Sequence, residues 1–200
     1  MTDYKAKTMQ AYNTNADAFA DKFRRLMDFP DRYEFDQFLE LLHGNTVLDL
    51  GCGAGDHSVY FKQQGIDITS IDFSQAMITK CKEKGLNAKV MDAEDLQFPP
   101  QSFNGVWAVS SLLHIPKSKL TSVASRIHDL LQENGLLYVC MKEGKGERFV
   151  STPHHKDQER YFSFWHEDEL TGVFDQFTPV QLDQVSFMGQ TYLKQFYRRA

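Results

Sequence analysis

The sequence predicts an α/β fold, a parallel sheet covered by helices, from three observations. Short aliphatic and β-branched runs alternate with helix-like stretches from residue 46 onward, the order that a parallel sheet with crossover helices produces. Most of these runs are near-continuously apolar, as strands buried on both faces must be. The first run contains Val47-Leu48-Asp49-Leu50 and opens into Gly51-Cys52-Gly53-Ala54-Gly55. Glycines at every second position permit a tight turn and let backbone N–H groups approach a ligand with no Cβ in the way.

Upstream of the glycines, residues 3–27 and 31–43 read as helices, broken by Phe29-Pro30, because proline disfavours a helical residue before it. They are placed to lie over the ligand edge of the sheet. Five parallel strands follow, at 46–50, 67–71, 88–91, 105–109 and 136–141. A helix at 56–64 follows the glycine loop, Ser74 caps one that stops at Gly85, and Pro116 fits the first turn of one that ends before Gly135. In that last helix Leu120, Val123, Ile127, Leu130 and Leu131 recur at helical spacing, so they face the sheet. Residues 143–164 are polar and rich in Gly, His and Arg, which predicts a surface loop over the site. A short helix at 167–174 and a hairpin of 180–187 with 192–197 around Met188-Gly189-Gln190 complete the chain.

The 200 residues, 42% hydrophobic and 13% aromatic, predict one domain with a sizeable core. Within it, 1–43 form an N-terminal helical cap, 44–142 a cofactor-binding core, and 143–200 an acceptor-side loop, helix and terminal hairpin. A net charge of −5 and a pI near 5.8 argue against general nucleic-acid binding, which needs a basic surface. Cys52, Cys81 and Cys140 show no Cys-x-x-Cys spacing, so neither a disulfide framework nor a zinc knuckle is indicated. With no apolar segment of signal-peptide or membrane-spanning length, a soluble cytoplasmic protein, monomer or homodimer, without a membrane partner is expected.

The spacing of the glycines narrows the ligand. In the dinucleotide fingerprint the third glycine falls at position 56, where Asp56 stands, and no Lys-Ser or Lys-Thr pair follows for a phosphate-binding P-loop. A nicotinamide-dependent oxidoreductase is thereby disfavoured. Ligands of open α/β sheets bind beyond the carboxyl ends of the strands, so the strand ends are read together. Strand one brings Asp49 and the glycines, and strand two ends in Asp72, whose two acceptor oxygens suit a pair of ribose hydroxyls. Strand three ends in Asp92-Ala93, a carboxylate and a backbone N–H suited to an adenine edge, and strand four runs into Ser110-Ser111-Leu112-Leu113-His114.

This series resembles the class I S-adenosylmethionine-dependent methyltransferases, in particular the small-molecule type 11/25 branch, closely over residues 47–141. The resemblance implies a Rossmann-like, seven-stranded, mostly parallel sheet with an antiparallel last strand and helices on both faces. It also implies S-adenosylmethionine as cofactor, with S-adenosylhomocysteine as product, beneath the N-terminal helices. By the same resemblance Gly51 and Gly53 approach the amino-acid part, Asp72 the ribose, and Met77, Asp92 and Ala93 the adenine, with Asp49, Cys52, Gly55 and Phe73 as further cofactor-binding residues. Ser110 borders the site, and Tyr12 and Phe19 are the aromatic residues that smaller members place over the cofactor. Each has a plainer alternative: Met77 as core, Asp92 as a turn residue, Tyr12 and Phe19 as staples for the first helix.

Methyl transfer from a sulfonium is an in-line displacement of an already activated group, so positioning is the main catalytic task and no nucleophile or metal triad is required. His114 is the first candidate for contact with the acceptor, being placed where the methyl projects; a satisfied structural histidine is the alternative. Residues 159–165, Glu-Arg-Tyr-Phe-Ser-Phe-Trp, combine a guanidinium with four aromatic rings. Arg160 with Arg148 then matches the carboxylate of a flat or anionic small molecule, unless Phe162 and Trp165 serve only packing. His154-His155 and His166 lack the spacing of a metal set. The absent Asn-Pro-Pro-Tyr turn and the acidic charge point to a small acceptor rather than a nucleic-acid base. The other class of protein that fits the same glycine loop is a non-catalytic sensor or partner subunit that binds the cofactor without an acceptor pocket.

Overall fold

The computed structural model describes residues 2–27, 33–152 and 155–200. The strands are β1 (Thr46–Leu50), β2 (Asp67–Asp72), β3 (Asn87–Val90), β4 (Phe103–Val109), β5 (Leu131–Lys142), β6 (Glu147–Thr152), β7 (His155–Ser163), β8 (Phe177–Phe187) and β9 (Gln190–Arg199). The α-helices are α1 (Asp3–Thr14), α2 (Ala16–Leu26), α3 (Tyr33–Leu41), α4 (Asp56–Gln63), α5 (Gln75–Glu83), α6 (Lys117–Leu130) and α7 (Glu167–Val173). Seven strands form one sheet in the order β3-β2-β1-β4-β5-β9-β8. The first five are parallel, and β9 runs antiparallel to both of its neighbours.

The period of two in the strands explains why both faces need cover. Along β4, Val106 and Ala108 face one core while Trp107 faces the other, and all three are buried. The first core takes Leu120, Val123, Ile127 and Leu130 from α6, as their helical spacing requires, with Leu170 from α7. The second gathers Phe35, Phe38 and Phe61 around Trp107, whose ring stacks on Tyr138 at 4.4 Å.

Ser74 caps α5, its hydroxyl accepting the Met77 N–H at 3.2 Å. The β8–β9 turn is made by Met188 (φ 50°) and Gly189 (φ 76°), both left-handed, the type I′ pattern that suits a twisted hairpin.

Three expectations change. The long first helix is two, α1 and α2, broken at Asn15, whose backbone leaves the helical region and whose side chain donates to the Ala11 carbonyl at 2.9 Å; asparagine competes in this way with backbone bonding. The Phe29-Pro30 break lies outside the described residues. The loop expected at 143–164 is instead largely a hairpin, with β6 paired to β7 from Arg148 opposite Phe162 to Val150 opposite Arg160. Its alternation is diluted by charge, but it buries Phe162 and Arg160 on one face and presents the Tyr161 N–H to the Thr8 hydroxyl of α1 at 3.0 Å. Finally, β5 begins five residues before the expected start, through Gln132-Glu133-Asn134-Gly135, which reads as a turn because Asn134 takes a left-handed φ of 60°.

Candidate active site

The glycine loop leaves β1 at the carboxyl edge of the sheet, and the N–H groups of Gly51 and Cys52 both donate to the Ile71 carbonyl, at 2.8 and 2.9 Å. Gly51, Gly53 and Gly55 have φ of 78°, 53° and 82°, where an L side chain costs about 1–2 kcal/mol. Their surroundings differ. A Cβ on Gly51 would meet the Ser111 Cβ at 2.2 Å, and one on Gly55 would meet Leu86 Cδ1 at 2.5 Å, whereas nothing lies within 4 Å of one on Gly53. The outer glycines allow close packing; the middle one exposes bare backbone to a cleft.

Two buried carboxyls face that cleft. Asp72, 8% exposed, accepts the Gly53 N–H at 3.0 Å and the Ser74 N–H at 2.8 Å. Burial pushes its carboxyl up to about 6 against the pull of those N–H donors. Asp49 accepts the Ser58 hydroxyl at 2.5 Å, and burial, opposed by that bond and helped by the charge of Asp72, raises it to about 7. At the end of β3, Asp92 accepts the Glu94 N–H at 2.9 Å and pairs with Lys5 of α1 at 2.6 Å. Lys5 also reaches Glu94 at 3.0 Å, which Lys119 meets at 2.8 Å.

The end of β4 is backbone-strained. Ser110 holds φ at 52° while its N–H donates to the Cys140 carbonyl at 2.9 Å, and the buried Ser111 hydroxyl has no hydrogen-bond partner among the described residues. Non-glycine residues held in this way cluster at functional sites. His114 follows, its Nδ1 2.6 Å from the Tyr161 carbonyl and its Nε2 2.9 Å from the Tyr12 hydroxyl. A carbonyl can only accept, so Nδ1 carries the proton and Nε2 accepts from Tyr12. Burial, with the charges of Arg160 and Lys142, holds the ring neutral by lowering it to about 3.

The cleft brings together Tyr12, Asp49, Gly51, Cys52, Gly53 and Asp72, and likewise Phe73, Asp92, Ala93, Ser110 and His114. Gly55, Phe19, Met77 and Arg160 do not line it. Met77 is fully buried with Phe19, Ala16 and Ala54, the core alternative, and Phe19 packs on Tyr12 at 4.9 Å. Arg160 reaches the cleft only through Tyr12, to whose hydroxyl it donates at 3.0 Å. Arg148 does not join it: its guanidinium lies 3.8 Å from the centroid of Phe164 and donates to the Lys145 carbonyl. Phe162 and Trp165 are buried. His154 lies outside the described residues, as does the side chain of His155, and His166 pairs with Glu143 at 3.1 Å.

Tyr4, Lys5, Thr8, His57 and Glu94 also line the cleft and were not singled out from sequence. Tyr4, Thr8 and Tyr12 recur every four residues, one face of α1, which is the signal that was available. His57 accepts the Trp107 indole N–H at 3.0 Å, and burial lowers it to about 4. Among the described residues no three His, Cys, Asp or Glu side chains converge as a metal set, and no helix is long and apolar enough to cross a membrane.

A glycine loop on β1, acids at the next strand ends and this sheet order define a nucleoside-binding α/β protein. Residues 47–135 match the family model described as a methyltransferase domain. The 2-methyl-6-phytyl-1,4-hydroquinone methyltransferase of Synechocystis sp. is 29% identical over 141 residues, 68% of this chain and 41% of the relative. Phosphoethanolamine N-methyltransferase 2 of Caenorhabditis elegans is 27% identical over 174 residues, 80% of this chain and 39% of the relative. The chain thus spans about two-fifths of the length of these curated relatives. The same fold is seen in the Burkholderia thailandensis 1,6-didemethyltoxoflavin-N1-methyltransferase, solved with 1,6-didemethyltoxoflavin and S-adenosylhomocysteine. It superposes with a TM-score of 0.77 at 22% identity, covering 98% of this chain and 88% of that one. Over residues 47–135 the chain is thus similar to methyltransferases, and its whole fold is shared with an enzyme of that kind.

Proposed function

We propose that this chain transfers the methyl group of S-adenosylmethionine to a small-molecule acceptor by in-line displacement, with catalysis mainly by positioning. The observation that carries this reading is the cleft where Gly53 presents bare backbone beside the Asp72 carboxylate. When bound, S-adenosylmethionine supplies an activated methyl on a sulfonium. The chain's residues then bind, orient and exclude water. Each Asp72 oxygen uses one lone pair on a backbone N–H and keeps another for the ribose hydroxyls. Asp92 and Ala93 take the adenine edge, and Asp49 fixes the loop from below through Ser58.

His114 does not act as a general base here, because its one basic nitrogen is engaged by Tyr12. It positions Tyr12 and forms the wall of the acceptor side. Good alignment alone lowers such a barrier by about 7 to 11 kcal/mol. We further assign one domain, with 1–43 as cap, 44–142 as cofactor core and 143–200 as the acceptor side. The docking of α1 on α5 and β7 supports this division. A cytoplasmic monomer or homodimer without a nucleic-acid partner fits the acidic charge and the reduced thiols.

Calorimetric titration with S-adenosylmethionine, S-adenosylhomocysteine and NAD, on the natural chain and on Asp72→Ala, tests the reading. Binding of the first two, weakened at least tenfold in the variant, is expected. A folded protein that binds neither, or that prefers NAD, overturns it.

A further inference from the structure

Two cations share the Phe162 ring on the acceptor side. Arg160 is 9% exposed, and its guanidinium carbon stands 4.7 Å from the ring centroid of Phe19, 5.1 Å from that of Phe162 and 5.4 Å from that of Tyr12. Lys142, at the carboxyl end of β5, places its Nζ 4.8 Å from the same Phe162 ring. Among the described residues no ion pair includes either of them. The other buried or half-buried arginines differ: Arg126, Arg198 and Arg199 each donate to main-chain carbonyls, whereas Arg160 donates to a phenol.

An ion removed from water without a counter-ion is expensive, and aromatic faces return only about 0.5 to 2 kcal/mol each. The two positive charges oppose one another, since burial and the nearness of Arg160 and Lys22 both lower the Lys142 ammonium. Both charges also act on His114, which lines the cleft and is itself neutral. Both cations thus act on the side of the cleft that His114 lines.

Resting on the methyl-transfer reading above, we propose that Arg160 and Lys142 form an anion subsite, and that the methyl acceptor carries an anionic oxygen group, a carboxylate or a phosphate. The guanidinium fork supplies directional donors and the lysine a point charge, while Phe162 and Tyr12 flank the organic part. The subsite lies behind Tyr12 and His114, adjoining the cleft through the Tyr12 hydroxyl rather than on its lining, and is separate from the cofactor's carboxylate contacts.

The test uses 4-fluorobenzoate, phenyl phosphate and 4-fluorobenzamide as probes on the full chain saturated with S-adenosylhomocysteine. Binding is followed by fluorine and phosphorus line broadening. At least one anionic probe binds, the amide binds at least tenfold more weakly, and both Arg160→Gln and Lys142→Met weaken the anion at least tenfold. Lys142 is only partly buried at a strand end, so its variant remains informative if Arg160→Gln fails to fold. A preference for phenyl phosphate over the benzoate identifies a phosphate acceptor, and the reverse a carboxylate. Absence of anion binding, equal binding of the amide, or undiminished anion binding in Lys142→Met overturns the subsite. Failure of S-adenosylhomocysteine to bind at the outset sinks the methyl-transfer reading instead, and the two failures are thereby told apart.

Discussion

The Nε2 of His114 accepts a hydrogen bond from the Tyr12 hydroxyl at 2.9 Å, and that hydroxyl in turn accepts from Arg160 at 3.0 Å. One phenol thus joins the first helix, the turn after β4 and the hairpin of β6 and β7. With Nδ1–H fixed on the Tyr161 carbonyl, the ring has one tautomer and no free lone pair. The pH–rate profile is therefore expected to show no inflection from His114 between pH 5 and 8, because the ring is already neutral, lowered to about 3. Tyr12→Phe removes the donor to Nε2 and leaves the Arg160 guanidinium without its phenol partner, so the rate falls at least tenfold, while burial and the charges of Arg160 and Lys142 keep the ring neutral and the profile still without a histidine inflection. An inflection near pH 6 in the natural chain that His114→Asn abolishes would show that the histidine is the base after all.

Gly51 and Gly53 share left-handed backbones but not surroundings, which separates strain from contact. Alanine at either incurs the same backbone cost, yet only at Gly51 does the new Cβ strike Ser111, at 2.2 Å. Gly51→Ala is expected to be less stable than Gly53→Ala by about 2 to 3 kcal/mol, the cost of overpacking. Gly53→Ala folds but binds S-adenosylmethionine at least tenfold more weakly, since its methyl projects into the cleft. Urea unfolding and calorimetry decide it; equal stabilities would refute the packing role of Gly51.

The raised carboxyls make stability depend on pH in a stated direction. Asp49 and Asp72 rise from 3.8 to about 7 and about 6 through burial, so the folded chain binds more protons than the unfolded one. Their contribution is full below about pH 4 and is lost as pH climbs through 6 and 7. Asp49→Asn is expected to lessen the fall in stability between pH 5 and 8 by about 1 to 3 kcal/mol, at about 1.4 kcal/mol per tenfold change in proton affinity. Parallel pH dependences in the variant and the natural chain would contradict the burial argument. The same titration predicts that cofactor affinity climbs from pH 5 to 7, as Asp72 becomes the better acceptor.

The parts of this architecture that were legible in the sequence are those fixed by local chemistry. Strands buried on both faces wrote themselves as apolar runs, and the glycines at 51, 53 and 55 each take the backbone that only glycine adopts readily. The hairpin of β6 and β7 was not legible, because its alternation of Arg148, Val150, Arg160 and Phe162 mixes charge with apolar residues and its buried face exists only against α1 and the turn after β4. Arg148 and Arg160 look equivalent in sequence, yet two residues along the hairpin separate an exposed stack on Phe164 from a buried place over Tyr12. Lys142 carried no signal at all, since its meaning depends on sharing the Phe162 ring with Arg160. Met77 read as a ligand contact by its place in the motif, but one turn into α5 its side chain points under Phe19 into the core.

Asn13 fastens the carboxyl end of α1 over the cleft, and this makes a local prediction. Asn13 Oδ1 accepts from the Ser74 hydroxyl at 2.7 Å and from the Ala76 N–H at 3.2 Å, tying the end of α1 to the start of α5. Asn13→Ala removes both, at about 0.5 to 1.5 kcal/mol each. Ser74 keeps its cap on Met77, so the loss falls on the docking of α1 rather than on the sheet. Amides of residues 3–14 are expected to exchange roughly tenfold faster, with those of β1 and β4 unchanged. Because Tyr4, Lys5, Thr8 and Tyr12 line the cleft from that helix, S-adenosylmethionine affinity falls by a similar factor, mainly through faster dissociation. Faster exchange in β1 and β4 as well would mean that α1 is an integral part of the core and not a separately docked cover.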